Sequence, residues 1–143
     1  MGHLALVLVL VRDGQTVAVA NTHLKWYPRE SAPEVSWGLL QARQLLSERA
    51  RIAPGAWIVC GDLNATPDHE VLVELNQAGL VSAHRGGKTC YSNGRAQTID
   101  YLLHSRSLTA RPAEIPSVDD QSPIPSASEP SDHVPLLASF ERI

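Results

Sequence analysis

Apolar and polar residues alternate in blocks along this chain, and the blocks predict strands and helices. Two apolar runs, residues 4–11 and 16–20, flank Asp13-Gly14. An Asp-Gly pair between two such runs is a strong β-hairpin signal. Residues 56–60 are continuously apolar, which is typical of a strand covered on both faces.

Helical patterns lie on either side of this apolar run. Leucines at 39, 40, 45 and 46 predict a helix over residues 35–50, which Pro54-Gly55 ends. A second helix is predicted to begin at Pro67-Asp68 and to end near residue 78, because glycine favours a helix end at Gly79.

The C-terminal third reads as strands and one long loop. Residues 88–92 and 98–104 predict strands around an Asn93-Gly94 turn, and residues 134–140 predict a last strand. Residues 111–130 hold half of the prolines and predict a loop. Strands and helices are interspersed over residues 1–143, so we expect a single α+β domain with helices packed on sheet layers.

Composition narrows the class of protein. The net charge of -3 argues against a broad cationic surface. The two cysteines are too few for a disulfide framework or a zinc site, and they favour a reducing, cytoplasmic compartment. The apolar run 4–11 is too short to span a membrane and lacks the features of a signal peptide, so we expect no membrane association.

The polar residues of greatest chemical interest stand at the ends of predicted strands. They are His23, Asp62, Asn64, Asp100, Asp132 and His133. Taken singly, Asp62 and Asn64 are also typical turn residues, and His23 is typical of a structural histidine. Asp100 lies in an apolar strand, where an unpaired carboxylate costs several kcal/mol, and His133 is its natural partner.

Together these residue types suit phosphoester hydrolysis. A carboxylate can take a proton from water, an amide can hold phosphoryl oxygens, and an Asp–His pair can meet the developing negative charge. The chemistry requires that strand ends far apart in sequence converge at one edge of a sheet.

The motifs around these residues resemble the endonuclease/exonuclease/phosphatase superfamily, which includes DNase I-like nucleases, abasic-site endonucleases, inositol phosphatases and sphingomyelinases. They occur in the family's order: Asn21-Thr22-His23-Leu24, Gly61-Asp62-Leu63-Asn64, Thr98-Ile99-Asp100-Tyr101 and Ser131-Asp132-His133. Further features resemble its poly(A) deadenylase and nocturnin branch: residues 22–26 with Gln41 and Gln44, Ile124-Pro125, and residues 135–140.

The resemblance implies roles for individual residues. Asp62 would activate or position the attacking water, and Asn64 would hold the phosphoryl group. His133 would bind a non-bridging oxygen, oriented by Asp100. His23 would contact the phosphate or assist the leaving group.

The resemblance also implies a divalent ion and a substrate. Mg²⁺ or Mn²⁺ would be held by Asp62, Asn64 and Asp132, since hard oxygen ligands suit those ions. By residue type, Trp26, Tyr27 and Tyr91 are candidates to stack on a base, and Arg85, Lys88 and Arg95 are candidates to hold phosphates; of these we expect Trp26 and Arg95 to bind a nucleic acid or nucleotide.

The resemblance covers only the C-terminal half of the family's four-layer α/β/β/α sandwich. It implies a mixed, mostly antiparallel sheet with helices on one face. The other half of the family fold normally carries a metal-binding Glu, and no segment here matches it. Three explanations compete: a fragment of a longer protein, a half-size protein that completes its sandwich as a homodimer, and a non-catalytic remnant. We favour the homodimer, because the two halves of the family sandwich are similar.

Two classes of function therefore stand side by side. The first is a metal-dependent phosphoesterase, most directly a nuclease or phosphodiesterase, with inositol or lipid phosphates as alternative substrates. The second is a binding or assembly module that has lost turnover, which the missing Glu favours. A serine hydrolase is the weakest alternative, because no Gly-x-Ser-x-Gly motif accompanies the Asp–His pair.

Overall fold

A computed structural model describes residues 3–26, 36–52 and 55–143. Its elements in chain order are β1 (Ala5–Arg12), β2 (Gln15–Thr22), α1 (Trp37–Ile52), β3 (Ala56–Asp62), α2 (Glu70–Gln77), β4 (Leu80–Ser82), β5 (Cys90–Ser92), β6 (Arg95–Gln97), β7 (Asp100–Ser105), β8 (Leu108–Pro112) and β9 (Ala138–Arg142).

Five of the described strands form one mixed sheet in the order β1-β2-β3-β7-β4. The β2–β3 pair is parallel and is connected through α1, whereas the other neighbours are antiparallel. The β1–β2 hairpin closes at Asp13 and Gly14, both with positive φ (50° and 73°), as the Asp-Gly signal predicts. The expected α+β class with a mostly antiparallel sheet is confirmed.

Both helices cover one face of this sheet. Small residues in β2, Ala18 and Ala20, leave room for Trp57 and Val59 of β3, and all four are buried. Leucines and valines of α1 and α2 complete the core: Leu39, Leu45, Val71 and Leu75. Burying each such side chain contributes about 1.5–3 kcal/mol, so this face supplies most of the hydrophobic stabilisation.

The opposite face is only partly covered. Leu6, Leu8 and Leu10 alternate along β1 and remain 52–65% exposed. The β8–β9 ribbon lies over part of this face, where Phe140 and Ile58 line a common cavity. The expectation that residues 56–60 are covered on both faces is therefore only half right.

Helix boundaries differ from the prediction for identifiable reasons. Helix α1 runs to Ile52, and its predicted start at Val35 lies outside the described residues. Helix α2 begins at Glu70, three residues after the predicted start. His69 caps it, since its Nδ1 accepts the Val71 N–H at 3.2 Å.

Strand boundaries also differ in the C-terminal third. The Asn93-Gly94 turn joins β5 to the short strand β6, and β7 begins only at Asp100. The last strand begins at Ala138, four residues after the predicted start at 134. Strands β4, β6 and β8 have no separate signal in the sequence, because they are only three to five residues long.

The loop predicted over residues 111–130 is irregular from residue 113, because residues 111 and 112 end β8, and the irregular stretch continues to residue 137. It is attached to the body of the protein through Val118, which is buried, and Asp120, whose Oδ1 accepts the Ala96 N–H at 2.6 Å. Among the helices that the structure describes, neither has the length and apolar character needed to cross a bilayer.

Glycine is required at the end of β3. Gly61 has a φ of +127°, and a Cβ there would overlap the carbonyl oxygen of Thr22 in the neighbouring strand. Its missing side chain lets β2 and β3 approach where both strands end.

Substitution of Gly61 tests this packing. We expect Gly61→Ala to lower the free energy of unfolding by at least about 3 kcal/mol, because backbone strain of about 1–3 kcal/mol adds to the overlap with Thr22. Gly79→Ala is the matched control, since Gly79 also has a positive φ (+81°) but faces open space. Equal losses for the two variants in urea unfolding would show that the close approach is unimportant.

Candidate active site

The predicted catalytic residues meet at one edge of the sheet. Strands β2 and β3 are parallel and end there, and β7 begins there because it runs antiparallel to β3. His23 therefore follows β2, Asp62 ends β3, and Asp100 begins β7. Two backbone hydrogen bonds join the segments: Leu24 N–H to Asp62 O at 2.9 Å and Leu63 N–H to Ile99 O at 2.8 Å.

Asp62 and Asp100 stand directly opposite each other in the β3–β7 register. Burial raises the pKa of Asp62, and the charge of Asp100 raises it further. The Asn64 N–H at 2.7 Å and the nearby His23 and His133 act in the other direction. Two opposed carboxylates are unfavourable unless positive charge lies close to them, so the site is suited to a cation.

His133 supplies part of that positive charge. Its Nδ1 lies 2.9 Å and 3.1 Å from the two carboxylate oxygens of Asp100. Burial disfavours the imidazolium, but the hydrogen bond and charge of Asp100, with Asp62 and Asp132, outweigh it and raise the pKa of His133. Because Nδ1 is held by Asp100, the other nitrogen, Nε2, is left to face a ligand.

Two backbone hydrogen bonds hold His133 in this position. Cys90 and His133 form an isolated antiparallel bridge, flanked by Tyr91 N–H to Asp132 O at 2.8 Å and Val134 N–H to Thr89 O at 2.9 Å. The C-terminal motif is thus attached to β5, a strand that does not belong to the main sheet.

Sequence reasoning missed Thr89. Its buried Oγ1 accepts the backbone N–H groups of Ile99 and Asp100, each at 3.1 Å, and so fixes the start of β7. The available signal was a β-branched hydroxyl residue within a predicted strand, which is too common to distinguish a positioning role.

His23 and Asn64 contact each other on the exposed side of the site. Asn64 has a left-handed φ of 48°, and its Nδ2 donates to Leu24 O at 2.9 Å and lies 3.0 Å from His23 Nε2. His23 Nε2 is also 3.4 Å from Asp62 Oδ2. Asp62 and Asn64 therefore form the expected turn, and the same turn brings both side chains to the site.

The result is a compact group of potential metal ligands. One ligand atom from each of Asp62, Asp100 and His133 lies within 4.8 Å of the others. The Asp132 side chain is 44% exposed, and its Oδ1 lies 3.9 Å from His133 Nε2. Carboxylate and amide oxygens at this edge are donors that fit Mg²⁺ or Mn²⁺.

The two predicted substrate-binding residues lie outside this group. Trp26 is 58% exposed and is the last described residue before the gap at 27–35. Arg95 is exposed at the start of β6. Within the described parts of the chain, no hydrogen bond or ion pair joins either side chain to the cluster, so their roles stay predictions.

Cys90 is, after Thr89, a second residue beside the site that sequence reasoning did not identify. Burial and the charges of Asp132, Asp100 and Asp62 raise the pKa of its thiol to about 11. Its Sγ, an Asp132 oxygen and a His133 ring nitrogen lie within 4.8 Å of one another. His133 therefore takes part in two groups of potential ligands that differ in chemistry.

Comparisons with known proteins identify the family to which the chain is similar. The family model described as "Endonuclease/Exonuclease/phosphatase family" matches residues 5–133. Human Nocturnin is 31% identical over 160 aligned residues, covering 96% of this chain and 36% of that protein. The CCR4-Not complex 3'-5'-exoribonuclease subunit Ccr4 of Candida albicans is 24% identical, covering 90% of this chain and 22% of that protein.

A solved structure has a similar overall fold. The human Nocturnin catalytic domain with bound sulfate has a TM-score of 0.68 at 25% identity, covering 99% of this chain and 53% of that chain. The chain thus spans about a third of the length of the curated Nocturnin and about half of the solved domain.

The Asp100–His133 pair makes a testable prediction. In the metal-free protein we expect NMR titration to give His133 a pKa above the ordinary value of about 6.5. Because the folded-state pKa is raised, the pair stabilises the fold fully below pH ~6.5 and loses this contribution as pH rises through the folded-state pKa. Asp100→Asn should lower the pKa of His133.

Asp68→Asn is the matched control, since Asp68 is exposed and its Oδ1 accepts a hydrogen bond from Thr66 Oγ1 that an asparagine can also accept. A His133 pKa that is equal in the wild type, Asp68→Asn and Asp100→Asn proteins would contradict the electrostatic account of the pair.

Proposed function

This chain belongs to the endonuclease/exonuclease/phosphatase family, and we propose that it is a divalent-metal-dependent phosphoesterase that hydrolyses a nucleic acid or nucleotide. The observation that carries the proposal is the meeting of Asp62, Asp100 and His133 within 4.8 Å at one sheet edge. Phosphoester hydrolysis needs a base and a charge-stabilising donor close together, and this edge offers both.

Asp62 is the proton acceptor in this proposal. Its Oδ1 accepts the Asn64 N–H, and its Oδ2, which lies 3.4 Å from His23 Nε2, takes a proton from the attacking water. Burial raises the pKa of Asp62, and a carboxylate with a raised pKa is a stronger base.

His133 stabilises the charge that develops on the phosphoryl oxygens. Asp100 orients its ring and favours the imidazolium, so Nε2–H can donate to a non-bridging oxygen. His23, on the exposed side, assists the leaving group.

Asp62, Asp132 and Asn64 would hold the metal ion. The Asn64 amide nitrogen already donates to Leu24 O, so its oxygen is the atom that remains for a cation. When bound, Mg²⁺ or Mn²⁺ would neutralise phosphoryl charge and favour attack by water. The opposed carboxylates of Asp62 and Asp100 support this fit.

The preference for a nucleic acid or nucleotide rests on two observations. Ccr4, to which this chain is similar, is described as a 3'-5'-exoribonuclease. The exposed Trp26 can stack on a base, and Arg95 can contact a phosphate. Inositol and lipid phosphates are the alternative substrates of the same chemistry.

We also propose that a second copy of the chain covers the open sheet face, as the other half of a sandwich would. The exposed leucines of β1 support this, since a contiguous apolar face on a protein surface marks an interaction site. A cytoplasmic location agrees with the free thiols of Cys60 and Cys90, and cell fractionation would test it.

Removal of the proposed base should abolish turnover. We expect Asp62→Asn to lower the rate of cleavage of single-stranded RNA, single-stranded DNA or a nucleotide by at least about 100-fold, because general-base catalysis contributes about 10²–10⁴-fold. EDTA should have a similar effect on the wild type, and Mg²⁺ or Mn²⁺ should restore activity. Asp68→Asn, the same change at an exposed position, should retain the wild-type rate.

The results separate the competing functions. Turnover that survives Asp62→Asn would sink the assignment of the base. Metal-dependent turnover of inositol or lipid phosphates alone would replace the nucleic-acid substrate. RNA binding without turnover on any substrate would favour the binding module.

The oligomeric state in solution tests whether a second copy of the chain covers the open sheet face. We expect a dimer by light scattering, and Leu8→Glu should convert it to a monomer by placing a charge on the open face. Leu40→Glu is the control, because Leu40 is exposed on α1 instead. A wild-type protein that remains a stable monomer at high concentration would rule out the homodimer.

A further inference from the structure

Cys90, Asp132 and His133 form a group of ligands of mixed chemistry beside the carboxylate cluster. One thiol, one carboxylate oxygen and one ring nitrogen lie within 4.8 Å of one another. The Cys90–His133 bridge and the Tyr91 N–H to Asp132 O bond hold all three residues by their backbones. The group is therefore set by the fold and does not depend on long flexible side chains.

These donors differ from those of the proposed Mg²⁺ site. Thiolate, imidazole and carboxylate are the ligands that Zn²⁺ takes in proteins, whereas Mg²⁺ and Mn²⁺ favour oxygen. A site with three such protein ligands and one open position suits tetrahedral Zn²⁺.

The surroundings of His133 match those of a zinc-binding histidine. A metal-bound histidine usually donates its other ring N–H to a carboxylate, and Asp100 already holds Nδ1 at 2.9 Å. Nε2 and Asp132 Oδ1 are 3.9 Å apart. Two ligands about 2.1 Å from a tetrahedral ion are roughly 3.4 Å apart, so a small shift would bring these two donors to that spacing.

We propose that Cys90, Asp132 and His133 bind one Zn²⁺ ion and that this ion inhibits the enzyme. Binding forms bonds from zinc to Sγ, to a carboxylate oxygen and to Nε2, and the thiol proton passes to solvent. The ion would occupy the nitrogen and the carboxylate that the proposed function uses for phosphate and for Mg²⁺. Only the inhibition rests on the proposed function; the binding does not.

Cobalt substitution tests the site directly. Co²⁺ added to the purified protein should give a thiolate-to-cobalt charge-transfer absorption at one ion per chain, and Zn²⁺ should displace it. Cys90→Ser should lose this absorption. Cys60→Ser is the control, since Cys60 lies in β3, where its Sγ donates to Ala20 O at 3.4 Å and belongs to neither ligand group.

A second substitution keeps the test decisive if Cys90→Ser fails to fold by circular dichroism. Asp132→Asn should keep the charge-transfer absorption but weaken Co²⁺ binding at least tenfold. No charge-transfer absorption in the wild type, its survival in Cys90→Ser, or unchanged affinity in Asp132→Asn would each overturn the zinc site.

Inhibition by Zn²⁺ is measured separately, in excess Mg²⁺. The rate of phosphoester cleavage of each variant is compared with the rate of the same variant without Zn²⁺. Half-inhibition of the wild type and of Cys60→Ser should need at least tenfold less Zn²⁺ than half-inhibition of Cys90→Ser. A protein that binds Co²⁺ through Cys90 but cleaves no phosphoester would keep the zinc site and sink the proposed function. A protein that cleaves a phosphoester but shows no cobalt absorption would support the proposed function and overturn the zinc site.

Discussion

The parallel pairing of β2 and β3, made possible by the close approach at Gly61, is the constraint on which the site depends. With no side chain at Gly61, the Thr22 carbonyl can approach, and the chain can then form the Leu24 to Asp62 hydrogen bond. Antiparallel β7 adds its first residue at the same edge. Strand pairing thus brings His23, Asp62 and Asp100 together, and the bridge to Cys90 adds His133.

This arrangement forces two carboxylates to face each other, and the surrounding groups compensate for that cost. Asp100 is held by the His133 ring, and Asp62 accepts an N–H from the turn that follows it. These partners offset part of the penalty of burying charge, and the remainder makes the edge attractive to cations. The same interactions that stabilise the fold at this edge therefore set its reactivity.

Much of this was predictable because the motifs follow strand ends, and strand ends can be recognised from apolar runs. The hairpin at Asp13-Gly14 and the apolar strand β3 follow from local patterns, and the meeting of Asp62 with Asp100 follows from the order of the family motifs at strand ends. The contributions of Thr89 and Cys90 could not be predicted, because their partners lie in distant segments and nothing local distinguishes them. The late start of α2 depends on a histidine cap, which is an uncommon choice at that position.

Asp132 and His133 themselves are held by two backbone hydrogen bonds, Tyr91 N–H to Asp132 O and Val134 N–H to Thr89 O, and by the side-chain contact with Asp100. Releasing so few bonds requires far less free energy than unfolding the five-stranded sheet, so local opening is a separate and easier event. Mild heat or denaturant would thus detach the histidine while the helices and sheet keep their far-ultraviolet circular dichroism. Loss of the site geometry would come before denaturation.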